Sequence, residues 1–237
     1  MRLIGFSTGA LARSDFNLAL RELSNKTVDS IELSALRFHE LRPLLESLSE
    51  LHLTRYRYVS IHAPSLFQAD EELEAIELLQ HFVPSDWPIV LHPDAICHHS
   101  RWRVFGKRIA IENMDRRKPV GRTADELRRI FDLLPDARLC FDIGHARQFD
   151  TTMTEAYRIL KQFVSRLCQV HVSEVNSASQ HDRLSYSATL AFEQVAHLIP
   201  DRIPLIIESR VTNKEIEPEI ESARKALPVG TSTFLTA

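Results

Sequence analysis

The sequence predicts an α/β protein built as one closed (β/α)8 barrel that occupies residues 1–237 as a single domain. Three observations lead there. Short apolar runs alternate with longer amphipathic segments eight times, and repeated strand–helix units give a parallel sheet. The apolar runs are continuous rather than alternating, the pattern of strands buried on both faces. The length of 237 residues suits one barrel, and no internal repeat, low-complexity tract or linker divides it. A doubly wound open sheet is the next arrangement that fits.

The elements follow in order. Strands are expected over 3–6, 28–33, 58–62, 88–92, 108–113, 137–143, 167–172 and 204–208. Helices are expected over 16–23, 41–51, 71–82, 123–134, 152–164, 190–198 and 214–226, where apolar residues recur at helical spacing. After the fourth strand the helix is weak, and residues 94–106 read as irregular. Thr123-Ala124-Asp125-Glu126 has the form of a capping box. The stretch from 173 to 185 reads as a polar loop.

Composition excludes several classes. Hydrophobic residues are 44% and charged residues 26%, with a net charge of -3, so no whole-surface field attracts nucleic acid. Cys97, Cys140 and Cys168 are far apart and form no CxxC pair. A disulfide framework is not expected, and a reducing cytoplasm is the expected location. No run has the apolar length needed to cross a membrane, and the N-terminal residues lack the apolar core of a signal peptide.

The chemistry collects at the strand ends, which in a barrel share one mouth. The second strand is read to end at Glu32, the third at His62, the fourth at His92 and the fifth at Glu112. The sixth ends at Asp142 with His145 beyond, the seventh at His171 and the eighth at Glu208. A carboxylate or imidazole directly after an apolar run is costly to bury unless it is paired or metal-bound. Convergence of so many points to a divalent metal with mixed nitrogen and oxygen ligands. Zn, Mn, Co or Fe(II) suit that set, in a number left open between one and three ions.

Ile111-Glu112-Asn113, Phe141-Asp142-Ile143-Gly144-His145, Val170-His171-Val172 and Ile207-Glu208-Ser209 resemble the xylose isomerase-like TIM barrel superfamily. It contains sugar isomerases and epimerases and the apurinic-site endonucleases related to them. The isomerase branch implies one metal held by Glu112, Asp142, His171 and Glu208. Glu112 and Glu208 would be the catalytic pair that moves a carbon-bound proton while the metal stabilises an enediolate. His145 and Arg183 would contact the substrate, although the Gly-rich loop of that branch is replaced here by Asp182-Arg183-Leu184-Ser185-Tyr186-Ser187. Glu32, apart from the resemblance, reads as a substrate contact or a group supporting the site, or equally as half of a strand-end salt bridge. The endonuclease branch implies three zinc ions, with ligands matched by order at His62, His92, Glu112, Asp142, His145, His171, His181 and Glu208. Its ninth ligand, an Asp two residues before the last-named histidine of the loop, is Ser179 here.

The leading expectation is a metal-dependent isomerase or epimerase of a sugar or sugar-phosphate-like polyol. The alternatives are an endonuclease-like phosphodiesterase with two or three metals, under which nucleic acid becomes a partner, and a metal-binding barrel without catalysis. Arg116-Arg117-Lys118, Arg101, Arg103 and Arg147 are the cations available around the mouth. Trp102 and Phe105 are expected either to cover the mouth or to pack onto the barrel, and Ser7 and Thr8 to line its floor.

Overall fold

A computed structural model describes residues 2–230. Eight parallel strands close a barrel: β1 (Ile4–Ser7), β2 (Ser30–Ser34), β3 (Tyr58–His62), β4 (Ile89–Leu91), β5 (Ile109–Glu112), β6 (Arg138–Asp142), β7 (Leu167–Val172) and β10 (Leu205–Ile207). A small antiparallel hairpin of β8 (Glu174–Val175) and β9 (His181–Asp182) stands outside it. The outer layer comprises α1 (Thr8–Ala12), α2 (Phe16–Leu23), α3 (Phe38–Ser47), α4 (Glu71–Phe82), α5 (His99–Trp102), α6 (Ala124–Leu133), α7 (Ile143–Phe149), α8 (Thr154–Phe163), α9 (Tyr186–Ala196) and α10 (Ile216–Ala226). The strands join in sequence, and β1 closes the ring between β2 and β10. Most of their buried apolar residues join those of the helices in one core, while Val90, Ala110, Cys140 and Cys168 of β4 to β7 form a second, smaller cluster. No helix among the described residues is long and apolar enough to cross a membrane.

Several elements depart from the sequence reading for identifiable reasons. β2 continues two residues past Glu32, to Ser34, because Ser34 still pairs with His62 of β3. Glu32 therefore lies inside the barrel rather than at its rim. The sixth strand stops at Asp142. The Asp142 carboxylate accepts the N–H of His145 at 2.7 Å and caps α7, which the sequence reading merged into the strand and loop. Gly144 is required there, since a Cβ would stand 2.4 Å from the carbonyl oxygen of Ser173. Ser185 caps α9, so that helix starts at Tyr186, four residues earlier than its apolar spacing suggests. At α6, Thr123 accepts the N–H of Glu126, but the Glu126 carboxylate reaches the N–H of Arg122 instead of completing the box.

The segment after β4 is organised by Glu72, a fully buried carboxylate on α4. It accepts the N–H groups of Cys97 (2.8 Å) and His98 (2.9 Å), the Trp102 indole (3.0 Å) and the His98 ring (2.8 Å). These bonds outweigh the cost of burial and hold the Glu72 carboxyl below its usual range. Trp102 and Phe105 are buried, with Trp102 between Phe67 and Phe105. They are packing residues and do not cover the mouth.

Glu72→Ala should destabilise the protein by about 3 kcal/mol in urea unfolding, because four donors lose a buried charged acceptor. Cys140 and Cys168 are buried and Cys97 is exposed, and burial pushes the Cys168 thiol up to about 11. A thiol reagent should accordingly titrate one cysteine in the native protein and all three after denaturation; three fast-reacting thiols in the native state would contradict this packing.

Candidate metal centre

The C-terminal ends of the strands converge on Glu112, the last residue of β5, which is 1% exposed. Its Oε2 lies 3.2 Å from His62 Nε2 and 3.2 Å from His92 Nε2. Its Oε1 lies 3.2 Å from His145 Nδ1 and 3.5 Å from His171 Nδ1. Each carboxylate oxygen thus faces two imidazoles. On the far side, Glu208 Oε2 is 3.4 Å from His171 Nδ1 and 3.5 Å from His181 Nδ1.

Backbone and side-chain bonds fix the rings. His62 Nδ1 donates to the carbonyl of Ala63 at 2.7 Å, which turns Nε2 inward, where it donates to Glu112 Oε2 at 3.2 Å and is the nitrogen a cation would take in exchange for that proton. His145 Nδ1 donates to the carbonyl of Asn113 at 3.0 Å, so Nε2 is its open nitrogen. His181 Nδ1 pairs with Ser173 Oγ at 2.8 Å. Asn113 ties two strand ends together. Its amide donates to the carbonyl of Asp142 and accepts the N–H of Asp142, both at 2.8 Å. Asp142 spends Oδ1 on the α7 cap, and its Oδ2, 3.4 Å from His145 Nδ1, remains without a hydrogen-bond partner.

The electrostatics follow from this crowding. Burial disfavours charge on His62, but the bond to Glu112 and the fields of Glu32, Glu112 and Glu208 raise it to about 9. Burial is likewise outweighed at His145 by Asp142 and Glu112, which raise it to about 10. Glu208 is pushed up to about 8 by burial, with Glu112, Asp142 and Glu32 adding to the shift against the opposing field of His171. Burial and the nearby His145, His171 and Arg210 depress His181 to about 3, the neutral form that ligates.

Whether these residues suit a cation is decided by the atoms left unpaired. Asp142 Oδ2, His171 Nδ1 and His92 Nδ1 are buried without hydrogen-bond partners, an expensive arrangement unless something else satisfies them. Three groups could take an ion: His62, His92 and Glu112; Glu112, Asp142, His171 and Glu208; and Asp142, His145 and His181. Within each, the ligand atoms lie within 4.8 Å of one another. A fourth group, Glu32, His62 and Glu208, competes with the first, since His62 has a single open nitrogen. The nitrogen and oxygen donors fit a divalent transition metal or zinc.

The sequence signature of the xylose isomerase-like TIM barrel family matches residues 99–227, over half of the chain. The chain belongs to that family. Among solved structures, a xylose isomerase domain protein from Alicyclobacillus acidocaldarius gives a TM-score of 0.61 at 12% identity, covering 94% of this chain and 99% of the other. An Anabaena variabilis protein described as a sugar phosphate isomerase/epimerase gives 0.55 at 11% identity, covering 93% and 88%. A Streptomyces coelicolor racemase with bound magnesium gives 0.56 at 12% identity, over 90% of this chain and 58% of that one. At such identities the likeness is one of fold. No curated protein sequence matches the chain.

The xylose isomerase-like barrel of this chain brings His62, His92, Glu112, Asp142, His145, His171, His181 and Glu208 together. It does not bring Arg183, which turns outward to Glu215 (2.8 Å) and Glu219 (3.6 Å) on the α10 side. Glu32 lies fully buried beneath the ligand groups and does not line the pocket, unlike the expected substrate contact. The pocket is about 280 Å³ and includes Ser7 in its lining. Asp115, Lys118 and Arg210 also line it and were not singled out individually by sequence. Asp115 stands beside Ser179, whose hydroxyl donates to it at 2.8 Å. Ser179 sits in a turn at φ 56, where the Asn176 side chain holds the N–H groups of Ala178 and Gln180.

Asn113→Ala removes the clamp between β5 and β6. Zinc affinity, measured by chelator competition, should fall about tenfold or more while the far-UV spectrum is retained; unchanged affinity would mean that the strand ends hold Asp142 without it.

Proposed function

We propose that the barrel mouth would hold two or more divalent metals, with Glu112 common to two of the ligand sets, and that the enzyme hydrolyses a phosphoester on a small sugar-type substrate. The observation that carries this reading is the environment of the Glu112 carboxylate. With two imidazoles at each oxygen, it is surrounded as a bridging ligand is, and has little freedom to act as a mobile base. His62 and His92 would hold one ion with Glu112. Asp142, His171 and Glu208 would hold the second with it. When bound, such ions supply Lewis-acid stabilisation of the charge that develops on the phosphoryl oxygens and activation of the attacking water.

The chain's own groups do the rest. Asn113 and the α7 cap hold Asp142 in place. The pocket of about 280 Å³ suits a ligand of sugar-phosphate size. The rim argues against a polynucleotide, because two of its cations are occupied: Lys118 by Asp94 and Arg147 by Glu174, each at 2.8 Å. Asp142, His145 and His181 would offer a third position without the carboxylate that Ser179 replaces.

A second reading, isomerisation or epimerisation of a sugar or sugar phosphate, is favoured by the complete Glu112, Asp142, His171 and Glu208 group. The raised Glu208 facing an ionised Glu112 is an acid paired with a base across the same pocket. The family and the described fold neighbours agree with that chemistry.

Metal analysis of reconstituted protein, together with His92→Ala, separates the two readings. Hydrolysis at a bridged centre requires at least two ions per chain. His92→Ala should then remove one ion and lower turnover of bis(4-nitrophenyl) phosphate about 100-fold or more. A single ion, a tolerated His92→Ala and carbon-bound deuterium uptake from D2O by sugar phosphates would replace the hydrolase reading with the isomerase one.

A further inference from the structure

Glu32 is an unexpected group to find under a ligand cluster. It lies mid-strand on β2, fully buried, with no charged partner except histidine. Its Oε2 collects three neighbours: the Gln169 amide at 2.7 Å, the Ser60 hydroxyl at 3.1 Å and His171 Nε2 at 3.1 Å. Gln169 and Ser60 are themselves fully buried. Tyr58 donates to Gln169 Oε1 at 2.6 Å, which orients the amide so that its nitrogen faces Glu32.

The arrangement decides which nitrogen of His171 is available. The ring is fully buried and stands among three carboxylates, one on the Nε2 side and two on the Nδ1 side. Nε2 faces Glu32, while Nδ1 faces Glu112 (3.5 Å) and Glu208 (3.4 Å) and has no hydrogen-bond partner. A carboxylate accepts only, so a contact with Glu32 requires a proton on Nε2. The Gln169 nitrogen also stands 2.9 Å from Nε2. Its amide carries two hydrogens, one of which goes to the Glu32 carboxylate; it is the 3.1 Å contact of Nε2 with that same acceptor-only carboxylate that selects the Nε2–H form of His171.

We propose that Glu32 is the positioning residue of His171: its carboxylate anchors the Nε2–H, fixes the ring plane, and presents the Nδ1 lone pair to an ion shared with Glu112, Asp142 and Glu208. This rests on the metal reading of the mouth and on nothing about the reaction catalysed. Glu32 acts through His171 and does not itself touch substrate. An acidic partner behind a ligating histidine also increases the electron density at the metal-facing nitrogen.

The test uses the full chain and zinc alone. Zinc affinity is measured by chelator competition for the unsubstituted protein, Glu32→Gln and Gln169→Leu, and the His171 ring is observed by nitrogen NMR in the zinc-loaded state. The unsubstituted protein should show zinc on Nδ1 and a slowly exchanging Nε2–H. Glu32→Gln, which keeps the shape and removes the charge, should weaken zinc binding about 10- to 100-fold and speed exchange of that proton. Gln169→Leu, which leaves the carboxylate, should change the affinity by much less. Equal affinity in Glu32→Gln, or zinc on Nε2, overturns the proposal while leaving the metal reading standing. No zinc binding by the unsubstituted protein overturns both. Should Glu32→Gln not fold, the choice of ring nitrogen in the unsubstituted protein still decides.

Discussion

The structure depends on one buried carboxylate and the imidazoles around it. Glu112 sits at the end of an apolar strand with almost no solvent contact, and an isolated ion there would be prohibitively costly. Four histidines from β3, the turn after β4, α7 and β7 offset that cost. Because each comes from a different element, the barrel must close in register for any of them to arrive. Among the strand residues of the site, the pairing of Asp142 with His171 across β6 and β7 shows how directly register becomes site geometry.

The centre is built in two layers. The upper layer contains the groups that can take an ion. The lower one contains Glu32, Ser60, Gln169 and Tyr58, whose hydrogen bonds are made within the barrel. Side-chain clamps add to the rigidity from outside: Asn113 joins β5 to β6, and Glu219 accepts the Ser209 hydroxyl at 2.5 Å next to Glu208. Such support keeps ligand atoms apart from one another and unpaired, which a flexible mouth would not tolerate.

Much of this was legible in the residues. Continuous apolar runs ending on Glu112, Asp142 and Glu208 announced both the barrel and its mouth, because burial on both faces forces that composition. What was not legible depended on contacts far along the chain. Arg183 reads as a mouth residue until Glu215 and Glu219 draw it outward. Glu32 reads as a strand end because Ser34, polar and small, gives no signal that pairing continues. The Asp142 to His145 stretch is too short for helical periodicity, so α7 is visible only through its cap. Asp115 lies in a polar loop, and only the approach of Ser179 from the β8–β9 turn gives it a place. The order of the two catalytic readings also rests on geometry: residue types alone cannot reveal that Glu112 is enclosed on both oxygens.

The paired charges around the rim have a kinetic consequence. Lys118 and Arg147 are each neutralised by a carboxylate within bonding distance, and the chain as a whole carries a formal charge of -3. Fields from such close pairs cancel within a few ångströms, well inside the screening length of about 8 Å at physiological ionic strength. An incoming anion therefore gains little long-range attraction from these two pairs; the exposed Arg116 and Arg117 in the loop after β5, and Arg210 at the pocket, are the cations left to draw it in. Pairing of the rim cations thus shortens the reach of the mouth's field, and shifts selectivity from the approach of a ligand toward the contacts made after its arrival.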